Sequence, residues 1–276
     1  MIGMGKHGAH RGHGFTRLEL IAILAVAFAG LVLARPALGY SAQRSKGVIC
    51  LSNFRRLSRA WLEFAHDNGG SVPQNIQGGL AINPTPPNVG WVSGWLDWTT
   101  SPANTNALLL IDGRYAQLAP YVGGDAALFK CPSDIYLSAA QAQRWKARVR
   151  SYSYLAGVGA GNTEAGPWDA NYYAQVTRLS GFVKPGPAAT AVFLEEHPDS
   201  INDPCLYPPY AAQWIDLPAS FHERGCNFSF ADGHVELHRW ASATTVQPVR
   251  VGVFSVVPTQ RNDPDLSWLR LHAPRK

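Results

Sequence analysis

Charged residues are scarce in this chain: they make up 16% of its 276 residues, against about 25% in typical soluble domains. Disorder requires high charge and few aromatic side chains, whereas 46% of this chain is hydrophobic and 11% is aromatic. A largely disordered protein is therefore excluded. Lysine and arginine outnumber the acidic residues, 24 to 19, but they form no run along the sequence. We therefore predict no nucleic-acid partner.

The sequence motifs of common catalytic sites are missing as well. The chain contains no Gly-X-Ser-X-Gly nucleophile elbow, no phosphate-binding P-loop and no HExxH zinc motif. His234 and His238 would share one face of a strand, but the third ligand that zinc requires is not found beside them. We predict that the protein is not an enzyme.

One long hydrophobic run, residues 20–34, contains no charged side chain. A membrane-spanning helix needs about 20 residues, so this run is long enough only if its flanks are included, from about 18 to 38. A basic start and the small residues at 37–39 are also typical of a cleaved signal peptide. Neither interpretation gives a role to Glu19, whose carboxylate would be costly to bury unpaired in lipid.

The residues around Glu19 resemble a known processing site. The segment HGFTRLEL, residues 13–20, resembles the prepilin-peptidase site of type IV pilins and type II secretion pseudopilins, although Arg17 stands where that family has an apolar residue. The resemblance implies a leader at 1–14, cleavage between Gly14 and Phe15, and N-methylation of Phe15. It also implies that Glu19 serves assembly by pairing with the Phe15 amine of a neighbouring subunit. The alternative for Glu19 is a solvated carboxylate near a helix N-terminus.

A long helix is predicted from residue 15 to residue 68. Its first half would be the transmembrane segment at about 18–38, and Pro36 would bend it. In its second half, apolar residues at 51, 54, 57, 61, 64 and 65 form one helical stripe. Gly69 and Gly70 are expected to end the helix, because glycine readily adopts the left-handed conformation of a C-cap.

Residues 69–276 are predicted to form an α+β head. His222, Asp232 and Gly233 have the spacing of the H-X9-DG element found in pseudopilin-like proteins with a prepilin-type N-terminus. Because an Asp-Gly pair suits a tight hairpin turn, we expect a hairpin within residues 222–238. The fold class implied by the resemblance is α+β and pilin-like, with the long N-terminal helix packed on an antiparallel β-sheet.

The family resemblance also implies a function and a location. The chain would be a structural subunit of a type II secretion or type IV pilus-related system. Its partners would be the prepilin peptidase, an inner-membrane assembly platform and other pilin-like subunits, in a homo- or hetero-polymer. It would cross the bacterial inner membrane once, with the head in the periplasm or another extracytoplasmic space. The alternative is a periplasmic binding protein or hydrolase with a signal peptide or membrane anchor, whose mature chain could begin at Tyr40.

Four cysteines occur, and none is close enough to another for a CxxC motif. In an oxidising extracytoplasmic head we favour two disulfides, Cys50–Cys131 and Cys205–Cys226, over four free thiols.

An acidic segment over residues 195–203 is the one candidate cation site in the sequence. Its hard oxygen ligands would suit Ca²⁺, although the segment does not match an EF-hand. The alternative is a solvated, hydrogen-bonded loop, and we predict no other cofactor and no firm metal site. The candidate ligands are Glu195, Glu196, Asp199 and Asp203.

Overall fold

A computed structural model describes residues 16–161, 168–252 and 254–276. The chain divides into two units, Met1–Gln43 and Arg44–Lys276, and the second is called the head below. The helices are α1 (Arg17–Asp67), α2 (Gly78–Ile82), α3 (Leu108–Ile111), α4 (Ala139–Ala142) and α5 (Pro264–His272). The strands are β1 (Tyr152–Leu155), β2 (Ala191–Glu195), β3 (Cys205–Leu206), β4 (Gln213–Trp214), β5 (Gly225–Phe230), β6 (Val235–Arg239) and β7 (Val257–Pro258).

The main sheet of the head has five strands in the order β3-β1-β2-β5-β6. The pairs β1–β2, β2–β5 and β5–β6 are antiparallel, whereas β3 runs parallel to β1. The loop over residues 196–204 carries the chain from β2 past β1 to the far edge of the sheet. Because β3 then runs opposite to β2, it is parallel to β1. The predicted antiparallel sheet is therefore wrong, and the sheet is mixed.

The pilin-like part of the predicted fold class is also wrong. None of the helices in the described part of the chain combines the length and the apolar character needed to cross a membrane. The apolar run has charged residues close to both ends, Arg17 and Glu19 before it and Arg35 after it, and it is shorter than the about 20 residues that a span requires. The transmembrane segment at about 18–38, the pseudopilin assignment and the single-pass inner-membrane location are contradicted by this finding.

Within the head, α1 packs through one buried stripe. Phe54, Leu57, Trp61 and Ala65 are fully buried at helical spacings of three and four residues. Trp61 Nε1 donates a hydrogen bond of 2.6 Å to the Tyr154 hydroxyl in β1, which fixes the helix against the sheet. Cys50, four residues before Phe54, extends this stripe and is also fully buried. The predicted stripe positions 51 and 64 are only half-buried.

The turn between β5 and β6 lies against α1. Gly233 has a φ of +96°, and a Cβ there would stand 2.8 Å from Leu62 Cδ1. The Gly233 carbonyl accepts a hydrogen bond from Ser58 Oγ at 3.3 Å, and Asp232 Oδ1 accepts one from the His234 N–H at 3.1 Å. Glycine is therefore favoured by the positive φ of the turn, and a side chain at this position would also displace the end of Leu62.

His238 of β6 is packed on the C-terminal helix rather than facing solvent. Its ring stacks on that of Trp268 in α5, with centroids 3.7 Å apart, and Trp240 lies beside it. His238 Nε2 is buried and has no hydrogen-bond partner within the described residues. Because burial disfavours the imidazolium ion, the pKa of His238 is lowered from 6.5 to about 4.

We expect the lowered pKa of His238 to make the protein less stable in acid. The contribution of the neutral His238 to the free energy of unfolding is fully present above pH 6.5 and is lost as the pH falls through about 4, because the unfolded chain takes up the proton first. The expected loss is about 1–2 kcal/mol, discounted because the side chain is only half-buried. Urea unfolding across this pH range should show a weaker acid dependence in His238→Phe. His66→Gln, at an exposed position of α1, should show the same pH dependence as the natural chain. The same pH dependence in the natural chain and in both variants would contradict the role assigned to His238.

Candidate functional site

A buried cluster of two thiols, one carboxyl group and one imidazole joins four separate segments of the head. Its members are Cys50 in α1, Cys131 in the loop after the 3₁₀-helix Ala126–Phe129, Glu195 at the end of β2 and His222 before β5. One potential ligand atom from each residue lies within 4.8 Å of the other three. None of the four residues is more than 4% exposed. The cluster therefore lies in the core, between α1 and the sheet.

Cys50 and Glu195 meet across the interface between α1 and β2. Cys50 Sγ donates to Glu195 Oε1 at 3.0 Å and lies 3.2 Å from the Tyr152 hydroxyl. Glu195 Oε2 points away from the thiols and accepts a hydrogen bond of 2.8 Å from the Asn227 N–H. The second oxygen is thus held by the backbone of β5, which leaves Oε1 directed at the cluster.

A tight turn sets the position of Cys131. The Asp134 N–H donates to the Cys131 carbonyl at 3.1 Å, which closes a turn of four residues. Within this turn the Ser133 N–H points at Cys131 Sγ, 3.4 Å away, so the sulfur acts as an acceptor. The buried Asp134 carboxylate pairs with Lys130 Nζ at 2.5 Å and accepts from Ser151 Oγ at 2.7 Å. The turn is therefore anchored on both sides.

His222 is positioned by a two-residue loop that leads into β5. Its backbone exchanges hydrogen bonds with Gly225, and the two intervening residues, Glu223 and Arg224, have positive φ angles. His222 Nε2 lies 3.0 Å from Glu195 Oε1 and 3.4 Å from Cys131 Sγ. Its Nδ1 makes no hydrogen bond within the described residues. The imidazole is therefore held in the cluster through Nε2.

Burial and charge determine the protonation of the cluster. Burial raises the pKa of the Cys50 thiol to about 11 and that of Cys131 well above its usual value. Burial alone would lower the pKa of His222, but the hydrogen bonds to Cys131 and Glu195 and the charge of Glu195 outweigh it and raise the pKa to about 10. The protein groups alone therefore keep the two thiols neutral and favour the protonated form of the His222 imidazole.

The residues predicted for processing and assembly lie at the start of the chain. Gly14 and Phe15 are outside the described residues. The Glu19 carboxylate accepts hydrogen bonds from the Thr16 N–H at 2.8 Å and from Thr16 Oγ1 at 3.0 Å, while Thr16 Oγ1 accepts from the Glu19 N–H at 3.2 Å. This is a capping box, and its hydrogen bonds lower the pKa of Glu19. The assembly role of Glu19 stays a prediction.

The structure does not contain the two predicted disulfides: all four cysteines are free and buried. Cys50 and Cys131 do meet, as members of the cluster. The Cys205–Cys226 pairing is wrong, because β1 and β2 lie between β3 and β5 in the sheet. Three strand spacings of about 4.8 Å place those strands far beyond the about 7 Å between Cα atoms that a disulfide allows.

The predicted calcium ligands are buried or partly buried and bind separate partners. Glu195 belongs to the cluster, and the Glu196 carboxylate accepts from Ser153 Oγ and Ser200 Oγ. Asp199 accepts from the backbone N–H groups of residues 250 and 252, and Asp203 from those of residues 78 and 205. The four carboxylates therefore do not converge on one cation, and the loop is hydrogen-bonded, as the alternative predicts, but buried or half-buried rather than solvated.

The sequence predicts a contact between Cys50 and Cys131 but not the meeting of all four cluster residues. It places His222 in the H-X9-DG element and Glu195 among the candidate calcium ligands. The one local signal was Cys50, which lies four residues before Phe54 and therefore continues the apolar stripe. Comparisons with known proteins give no assignment, since no family model, no curated protein and no solved structure matches the chain.

Proposed function

We propose that the chain is a non-catalytic structural subunit that assembles with copies of itself, or with similar subunits, through the N-terminal part of α1. Cleavage between Gly14 and Phe15 by a prepilin-type peptidase would precede assembly. The observation that supports this function is the exposure of seven large apolar side chains near the start of α1, between 50% and 79%. These residues are Leu18, Leu20, Ile21, Ile23, Leu24, Val26 and Phe28.

The apolar side chains point in every direction around the helix. Successive residues are rotated by about 100°, so positions 18, 20, 21, 23 and 26 cover the whole circumference rather than one stripe. A helix that is apolar all round is normally buried, and contiguous exposed apolar surface of this kind marks an interaction site. A second helix that is also apolar all round could cover this surface, with the side chains of the two helices interdigitating. The N-terminal segment is therefore the part of the chain best suited to hold subunits together.

Cross-linking between copies of the full chain tests the assembly step. The chain would be produced together with a prepilin peptidase, with a photoreactive amino acid at Ile23 or, for comparison, at Val183, an exposed apolar position of the head. We expect cross-linked oligomers from position 23 and few from position 183. In a variant with Ile21→Lys and Leu24→Lys, the yield should fall at least about tenfold, because each buried charge would cost several kcal/mol.

A matched double variant separates loss of the interface from a general effect of added charge. Ile135→Lys and Val183→Lys place the same two charges on exposed apolar positions of the head and should leave cross-linking unchanged. Mass spectrometry of the mature N-terminus tests the processing step, with N-methylated Phe15 expected. A first residue at Tyr40 would reject processing after Gly14, and undiminished cross-linking in the helix variant would reject assembly through α1.

A further inference from the structure

We propose that Cys50, Cys131, Glu195 and His222 bind one Zn²⁺ ion that pins α1 to the sheet of the head. All four residues lie within the head, and the inference does not depend on how the chain assembles. The four side chains come from a helix, a turn, a strand and a loop, so one ion would connect four elements that are far apart in the sequence.

The spacing of the ligand atoms is close to that of a zinc site. Zinc bonds of about 2.0–2.3 Å in a tetrahedron place neighbouring ligand atoms about 3.3–3.8 Å apart. Glu195 Oε1 lies 3.0 Å from Cys50 Sγ and 3.0 Å from His222 Nε2, and His222 Nε2 lies 3.4 Å from Cys131 Sγ. The remaining separations are at most 4.8 Å. Small side-chain movements would therefore open a tetrahedral site.

The donor set favours zinc over other common ions. Two sulfur atoms, one imidazole nitrogen and one carboxylate oxygen suit a borderline-soft ion, whereas Ca²⁺ and Mg²⁺ require oxygen ligands. A set of four protein ligands leaves no open position for water or substrate, which is typical of structural rather than catalytic zinc. Binding would replace the two thiol protons and the imidazolium proton, and these protons would leave to solvent.

Neighbouring groups hydrogen-bond three of the four ligands, whereas His222 Nδ1 has no hydrogen-bond partner within the described residues. The Ser133 N–H points at Cys131 Sγ, and the Asn227 N–H holds the Glu195 oxygen that faces away from the cluster. The Tyr152 hydroxyl lies 3.2 Å from Cys50 Sγ. Hydrogen bonds of this kind orient metal ligands and stabilise thiolate sulfur. The Ser133 N–H is an observation independent of the four ligands, because this backbone donor points at Cys131 Sγ and the sulfur therefore acts as an acceptor.

The zinc site would explain why the H-X9-DG element meets α1 at both of its ends. Gly233, in the turn, lies against Ser58 and Leu62. His222, at the other end, lies in the cluster with Cys50. Along α1, positions 50 and 58 are separated by about 12 Å at 1.5 Å per residue, so the element contacts the helix at two points about two turns apart. Metal binding by His222 would fix the register of β5 against the helix.

The metal content of the purified full-length chain tests the proposal directly. Protein loaded with Zn²⁺ under reducing conditions and then freed of unbound metal should contain about one zinc ion per chain. Cys50→Ser, Cys131→Ser and His222→Gln should each retain less than about a tenth of that amount, because each removes one of four ligands. Cys205→Ser changes a buried cysteine outside the cluster and should keep the full content.

A second measurement guards against variants that fail to fold. Co²⁺ in place of Zn²⁺ should give the natural chain and Cys205→Ser the visible absorption of a tetrahedral site and a sulfur-to-cobalt charge-transfer band. Removal of zinc by a chelator should lower the Tm of the natural chain. The proposal is overturned if the loaded natural chain holds no zinc, if Cys50→Ser and Cys131→Ser hold as much as it does, or if peptide mapping shows a Cys50–Cys131 disulfide in the natural chain.

Discussion

Replacing Trp91 by alanine should lower the free energy of unfolding by about 3–5 kcal/mol. Trp91 is fully buried, and its ring lies 4.8–6.0 Å from the rings of Phe129, Tyr154 and Phe193. Its Nε1 donates to the Pro204 carbonyl at 3.1 Å. Alanine would leave a large cavity among three aromatic rings and would remove one of two hydrogen bonds to the Pro204 carbonyl, which keeps the one from the Tyr154 N–H. Urea unfolding of the full chain, followed by circular dichroism, measures the loss.

Trp91→Phe separates the two contributions. Phenylalanine keeps most of the ring contacts but removes the hydrogen bond to Pro204, so the expected loss is about 1–2 kcal/mol. A loss as large as that of Trp91→Ala would show that the hydrogen bond, rather than the packing, dominates. A loss below about 1 kcal/mol for Trp91→Ala would contradict the position of Trp91 in the core.

The second large effect is expected at Arg150, whose side chain is buried. Its nitrogen atoms donate to the Tyr152 carbonyl at 2.7 Å and to the Asn202 carbonyl at 3.1 Å. Burial lowers the pKa of Arg150 to about 10, although the negative charges of Glu196 and Asp203 act in the opposite direction. Arg150 is therefore a buried cation beside two buried carboxyl groups, one of which, Glu196, also interacts with the buried Arg148.

Replacing Arg150 by methionine should cost about 3–5 kcal/mol at neutral pH, because the Tyr152 and Asn202 carbonyls each lose one hydrogen bond and two buried carboxyl groups lose a neighbouring positive charge. Burial raises the pKa of Glu196 and of Asp203. These groups are charged in the folded state only above their raised pKa values, so the cost should shrink as the pH falls and they become protonated. Urea unfolding of the natural chain and of Arg150→Met at neutral and mildly acidic pH measures this cost and how it changes with pH.

Two further variants serve as controls for this effect. Arg150→Lys keeps the charge but loses the planar fork of donors, and should cost less than Arg150→Met. Arg144→Met removes an arginine from an exposed position and should change stability by less than about 0.5 kcal/mol. A cost for Arg150→Met that grows in acid would contradict the role assigned to the arginine.

Segments with one strong local signal were predicted well from the sequence. The second half of α1 has apolar residues at spacings of three and four, and the structure buries Phe54, Leu57, Trp61 and Ala65. The Asp232-Gly233 pair indicates a turn, and the structure places the turn between β5 and β6 at these residues. Both features depend on neighbours within a few residues, so the sequence contains the information directly.

Short apolar segments were predicted less well. By composition alone, residues 108–111 predict a short strand and residues 139–149 predict a helix. The structure instead forms α3 at 108–111, since four consecutive apolar residues show neither a helical nor a strand period, and α4 ends at Ala142. In such segments the packing around them, rather than their own pattern, decides the conformation.

The sequence by itself thus determined the buried stripe of α1 in the head, the β5–β6 hairpin and the low charge of the chain. Only the tertiary structure decided the parallel placement of β3 and the meeting of Cys50, Cys131, Glu195 and His222. Cys50 and Glu195 are 145 positions apart, and no periodicity or short motif connects residues at that distance. Their contact exists because α1 packs across β1 and β2, a consequence of burying both apolar surfaces together.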